Sequence, residues 1–180
     1  METNSQGLRD RARRAYEWGR IRAALRETLP VIPLVGASLL ACSAPVQTIA
    51  SGGLLYAVAV TLRARGGASG RAVTPGFVAG LGAFFAPLVA GVLWADPGAC
   101  DALAMRTICF VGGVATGGNV GIFALRAAAD EARFLVSAAV VAGLTGSLGC
   151  MFGGLGGILG MVLGLLIATA PVLALIRVRA

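Results

Sequence analysis

From Phe134 to Ile176 the chain carries no charged side chain. That run of about 43 residues is roughly twice what one helix needs to cross a bilayer core. In lipid, backbone amides must bond to one another, so a run like this one folds as helix. One straight helix would be about 65 Å long against a hydrocarbon core of about 30 Å. The run is therefore expected to be two helices. The expected hinge is at Gly153, Gly154, Gly156 and Gly157, because glycine accepts the positive φ of a tight turn.

The rest of the chain reads the same way. Of 180 residues, 57% are hydrophobic and 13% charged, a composition that fits an integral membrane protein better than a soluble domain. Apolar runs fall at about Thr28–Ser43, Val46–Leu62, Pro75–Trp94, Ile108–Leu125, Phe134–Gly153 and Leu155–Ile176. The first is short, and Pro30 and Pro33 sit in its opening turns, where a missing N–H costs least. Ser43-Ala44-Pro45 is expected to turn into the second. The expected fold is all-α, a polytopic integral membrane bundle of six transmembrane helices over 28–176. A basic arm, 1–27, precedes it, and a short tail, 177–180, follows.

Charge gives the orientation. Six spans put segments 1–27, 63–74, 126–133 and 177–180 on one side. They hold seven, three, two and two of the fifteen arginines, and only Arg106 falls opposite. The positive-inside rule then makes both termini cytoplasmic. Five spans would place Arg177 and Arg179 outside, a weaker fit. The first 28 residues lack the apolar core of a signal peptide, so the first span is expected to be an uncleaved anchor. Every basic residue is arginine, and Ala and Gly abound. This suggests a GC-rich bacterial genome and hence the bacterial inner membrane.

The same residues argue against several functions. With no histidine, a Ser/His/Asp set cannot be built, and the glycines lie in hydrophobic helices rather than in a phosphate loop after a strand. The chain leaves no room for a large soluble catalytic domain. No enzyme and no cofactor are expected. No Asp, Glu or Arg lies clearly inside a span, which argues against a pump or ion-coupled transporter. Asn119, flanked by glycines, is expected to bond across helices or to line a small polar cavity. Asp96 and Asp101 fall in an outer loop, where solvated carboxylates are the expectation over a cation site.

The four cysteines, Cys42, Cys100, Cys109 and Cys150, all map to the side opposite the arginines. Cys42 and Cys150 fall roughly 21 and 24 Å into outward-going helices of a core about 30 Å thick. In a bacterial inner membrane that side meets an oxidising periplasm. Cys150 could pair with Cys42, Cys100 or Cys109. Thiols so placed suit a redox or soft-metal sensor. The plainer alternatives are a structural disulfide or cysteines serving as small hydrophobes. A zinc site is disfavoured by the lack of CxxC and of histidine.

Two further patterns bear on partners. Gly113, Gly117 and Gly121 recur every fourth residue, as do Gly149, Gly153 and Gly157, and Gly156, Gly160 and Gly164. Such spacing lets helices approach closely in lipid, within one molecule or in a homo-oligomer. In the arm "LRDRARRAYEWGRIRAALRET", Trp18, Ile21 and Leu25 fall within roughly 60° on a helical wheel. An interfacial helix on anionic lipid, with Tyr16 and Trp18 in the headgroup zone, is one reading. A docking arm anchored by Trp18, Ile21 and Leu25 is the other. Direct nucleic-acid binding is not expected.

A cysteine-bearing outer loop, a span, the turn "FALRAAADEARF" and a glycine-rich span "AVVAGLTGSLGC" ending on Cys150 resemble the multispan anti-sigma factors of the NrsF-like type. The resemblance covers about half the chain, from Cys100 onward. That family's helix ends in a His-Cys pair, where this chain has Gly149-Cys150. The family's first cysteine corresponds to Cys100 or Cys109. The resemblance implies that the arm holds a cytoplasmic sigma factor, and that oxidation or metal capture at the outer cysteines releases it. The rival readings are a passive membrane scaffold, a small pore, or a subunit of a larger membrane complex.

Overall fold

The computed structural model describes residues 2–41, 45–93, 102–126, 131–151 and 154–179. They form seven helices, α1 (Glu2–Glu27), α2 (Val31–Ala41), α3 (Pro45–Arg65), α4 (Gly67–Leu93), α5 (Ala102–Arg126), α6 (Glu131–Cys150) and α7 (Gly154–Arg179), with no strand among the described residues. The uncharged run divides as expected. α6 ends at Cys150, and α7 begins at Gly154, whose φ of 63° is the left-handed conformation glycine accepts without steric cost. Gly153 lies outside the described residues.

Four helices are long and apolar enough to cross a membrane: Pro45–Arg65, Leu103–Arg126, Ala132–Cys150 and Gly154–Val178. Many of their large apolar side chains stay exposed, among them Ile49, Leu54, Val111, Leu163, Leu166 and Ile167. In water such a belt would drive aggregation, whereas in lipid it is the solvated surface.

The N-terminal third departs from expectation. The run 28–43 does not give one full-length helix. α2 has 11 residues and is about 16 Å long, half a bilayer core. It continues α1 through a bend, with Arg11–Glu27 and Val31–Leu40 inclined by 41°. The bend falls at the Thr28-Leu29-Pro30 turn, since the residue before a proline is pushed out of helical geometry.

Two of the charged segments between apolar runs are largely helical. α4 starts at Gly67, so most of 63–74 is helix and the reversal is confined to Gly66 and Gly67, with φ of 69° and 63°. Gly66 N–H closes α3 on the carbonyls of Leu62 and Arg63, at 3.2 and 3.1 Å. α5 starts at Ala102, which makes Arg106 helical. Ala, Leu, Met and Arg are all good helix formers, and a charge ends an apolar run without ending a helix.

Helices α4 to α7 make the core. α5 packs most extensively on α7 and α4 on α6, with α4–α5 and α6–α7 contacts closing the bundle. Phe84, Leu148, Met161, Val120 and Val141 are fully buried there. α3 packs on α6 and α4, and α1 and α2 pack on α3. The arginine-bearing ends of α3, α5, α6 and α7 share one end of the bundle. The reversal from α6 to α7 lies at the other.

Candidate functional site

At the end away from the arginines, α5 and α6 bring two thiols together. Cys109 is the eighth residue of α5, and Cys150 is the last of α6. The two side chains lie side by side in one small buried cluster. Both cysteines are free and buried, 1% and 0% exposed. Of the three pairings open to Cys150, this is the one that the described residues bring together. Cys42 and Cys100 lie outside the described residues.

Glycine makes the pocket around the pair. A Cβ added at Gly157 would lie 2.7 Å from the Cys150 carbonyl oxygen and 3.3 Å from the Cys109 sulfur. α7 can therefore rest against the thiols only with hydrogen at this position. Gly149, one residue before Cys150, is pressed in the same way against the Phe84 backbone of α4. Ala83 and Met161 complete a small buried cluster with the two cysteines.

The next sulfur along, Met151, faces α3. Thr48 and Ser51 donate hydroxyl hydrogen bonds to its thioether at 3.7 and 3.8 Å. Thioethers are weak acceptors, so these contacts orient more than they bind. They do fix α3 to the residue beside Cys150.

Two facing thiols can be oxidised to a disulfide. Each loses its proton, an S–S bond forms, and two electrons pass to the oxidant. A soft metal ion would find two thiols, with the Met161 thioether beside them. Among the described residues no group of three or more His, Cys, Asp and Glu gathers.

The expected packing glycines are used inside the molecule. Gly113, Gly117 and Gly121 of α5 lie on Met161, Leu165 with Ala168, and Val172 of α7. In return Gly160 and Gly164 of α7 lie on the Arg106 and Phe110 backbones of α5. Gly156 accommodates the Arg106 guanidinium. The sequence reading missed the matching contact of α4 with α6. Gly76 and Gly80 seat on the backbones of Ala138 and Ala142, and the four-residue spacing of all four was the available signal.

Asn119 is exposed on α5 beside Thr116. Thr116 donates across to the Ala79 carbonyl of α4 at 3.2 Å, so the cross-helix bond expected of Asn119 is made by its neighbour. On the arm, Trp18 is 69% exposed, while Ile21 and Leu25 are also open. Ala24 and Thr28 are buried, so the arm rests on the bundle by another face. No family model, curated protein or solved structure matches this chain.

Proposed function

We propose that the chain is a regulatory protein of the bacterial inner membrane that senses oxidant through Cys109 and Cys150 and holds a cytoplasmic partner on its arm. The observation that carries this reading is the thiol pair: two buried cysteines about 40 residues apart in sequence, facing each other at the end opposite the arginines. A disulfide there would join α5 to α6 across a boundary packed by glycine. The open stripe of Trp18, Ile21 and Leu25 suits an apolar anchor for a partner.

In this reading the chain crosses the membrane six times, with both termini cytoplasmic. α4 counts as a span through the uncharged stretch after Arg71, and the bent α1–α2 pair supplies the first crossing. The partner would be a sigma factor, as the resemblance to NrsF-like anti-sigma factors implies. The test captures proteins crosslinked to the arm in cells, with and without oxidant. A sigma factor caught by the wild type, released on oxidation, and retained by Cys150→Ser supports the proposal. Capture that ignores oxidant, or that survives Trp18→Ala, Ile21→Ala and Leu25→Ala together, overturns it.

A second reading, a subunit of a larger membrane assembly, has one observation in its favour. Asn119 opens onto a groove of about 410 Å³ between α4 and α5, walled by small residues such as Gly82, Ala86 and Gly112. An amide facing lipid is stabilised by a partner helix. Membrane subunits copurifying with the wild type and lost with Asn119→Leu would favour this reading.

A further inference from the structure

At the opposite end of the bundle, the α3–α4 reversal meets the end of α1 around a crevice of about 280 Å³. Three guanidinium groups line it, those of Arg20, Arg63 and Arg71, against one carboxylate, Glu27. Arg63 is mostly withdrawn from solvent, its side chain 24% exposed, and pairs with Glu27 at 2.9 Å. Its other terminal nitrogen donates to the Thr74 hydroxyl. Its Nε is buried without a hydrogen-bond partner. A buried guanidinium N–H left unpaired is costly, and the charge in the crevice is unbalanced by two.

The reversal's glycines, Gly66, Gly67 and Gly70, line the same space. Gly66 and Gly67 both have positive φ, and they deliver the chain into the first turn of α4. The first N–H groups of a helix have no acceptor within it, and its dipole favours negative charge there. Gly66 leaves room for the Arg20 guanidinium, which a Cβ at that position would meet at 2.5 Å. A Cβ at Gly67 would meet nothing within 4 Å, so the loop is open on that side.

We propose that this crevice is a binding site for a phosphate group. Arginine forks match the geometry of phosphate oxygens, helix N-termini bind such groups, and a phosphate would offset the excess charge. The crevice lies at the arginine-rich end, where helices leave the apolar belt, so a phospholipid headgroup is within reach. A free phosphate shares the same chemistry. The inference is independent of the thiols and of any partner on the arm.

The full chain, purified in mild detergent, is titrated with phosphatidylglycerol by native mass spectrometry and, separately, with inorganic phosphate by thermal shift. Arg20→Gln with Arg71→Gln leaves the Arg63–Glu27 pair in place. It is expected to weaken binding about tenfold or more, the loss of one to two charge-assisted bonds. Arg11→Gln with Arg14→Gln removes equal charge from the exposed arm and is expected to change binding less than about twofold. Selective loss of phosphatidylglycerol supports the site with lipid as its source. Selective loss of inorganic phosphate without lipid binding supports it with a free phosphate. Equal weakening by both double variants, or no binding of either probe by the wild type, overturns it.

Discussion

Oxidising the chain after Cys42→Ser and Cys100→Ser leaves only Cys109 and Cys150 to react. Their disulfide would close a loop of about 40 residues, which on the chain-entropy estimate stabilises by about 4 kcal/mol at 25 °C. Helices that remain in lipid already restrict the unfolded chain, which lowers the expected gain to about 2–4 kcal/mol. For a chain of this size that is an increase of about 5–15 °C in melting temperature. The assay is thermal unfolding in detergent with and without diamide, with intact mass checking the loss of two hydrogens. Adding Cys109→Ser should abolish both the mass change and the shift. If the two-cysteine variant still yields two free thiols on denaturation after oxidation, the pair is not apposed and the site is wrong. If the bond forms and the melting temperature falls, the bond strains the fold, and the reasoning from native apposition fails.

Three further substitutions probe the scaffold of the bundle. Gly80→Leu should destabilise by about 3 kcal/mol or more, since even its Cβ would lie 2.7 Å from that of Thr145 and 2.8 Å from the Ala142 carbonyl oxygen. Gly53→Leu, at a site with nothing within 4 Å, should change stability by less than about 1 kcal/mol, and thermal unfolding separates the two. Met151→Ala should leave disulfide formation intact but reduce the effect of oxidation on partner release, because it removes the contact of α6 with Thr48 and Ser51. Mass spectrometry and the crosslinking assay read these two effects separately.

How much of this was legible in the sequence depends on whether each feature is local. The break within 134–176 was legible because a charge-free run has too few ways to cross lipid, and clustered glycines mark where it can turn. The helix-packing glycines were legible for the same reason, although Gly76 and Gly80 of α4 escaped notice among the alanines. The shortness of the first apolar run was legible, but the 41° bend that joins α1 to α2 was not. A run of apolar residues gives a length, but not the direction in which α1 delivers the chain through the Thr28-Leu29-Pro30 turn. Charge marks which side of the membrane a segment lies on and not where a helix ends, so the helical settings of Arg71 and Arg106 were not legible. Three pairings were open to Cys150, and distance along the chain could not choose among them. The choice depends on α5 and α6 meeting beside α7, a tertiary fact.

The position of α3 bears on how a bond at one end could be felt at the other. Its first turns touch Met151, next to Cys150, through Thr48 and Ser51. Its last turn carries Arg63, which holds Glu27 at the end of the arm. Between them Gly52 lies against Val35 of α2, and buried Leu55 and Ala59 join the core shared with α4 and α6. Under the proposed function, a bond that shifts the end of α6 would be felt by α3 through Met151, and at the far end of α3 stands the Arg63–Glu27 pair, the ion pair among the described residues that joins the arm to the bundle. With the Glu27 side chain 54% exposed, that pair is worth on the order of 1 kcal/mol. Breaking it would then weaken the arm's hold on the bundle by about that amount, a bias of roughly fivefold, while buried Ala24 and Thr28 keep their own contacts.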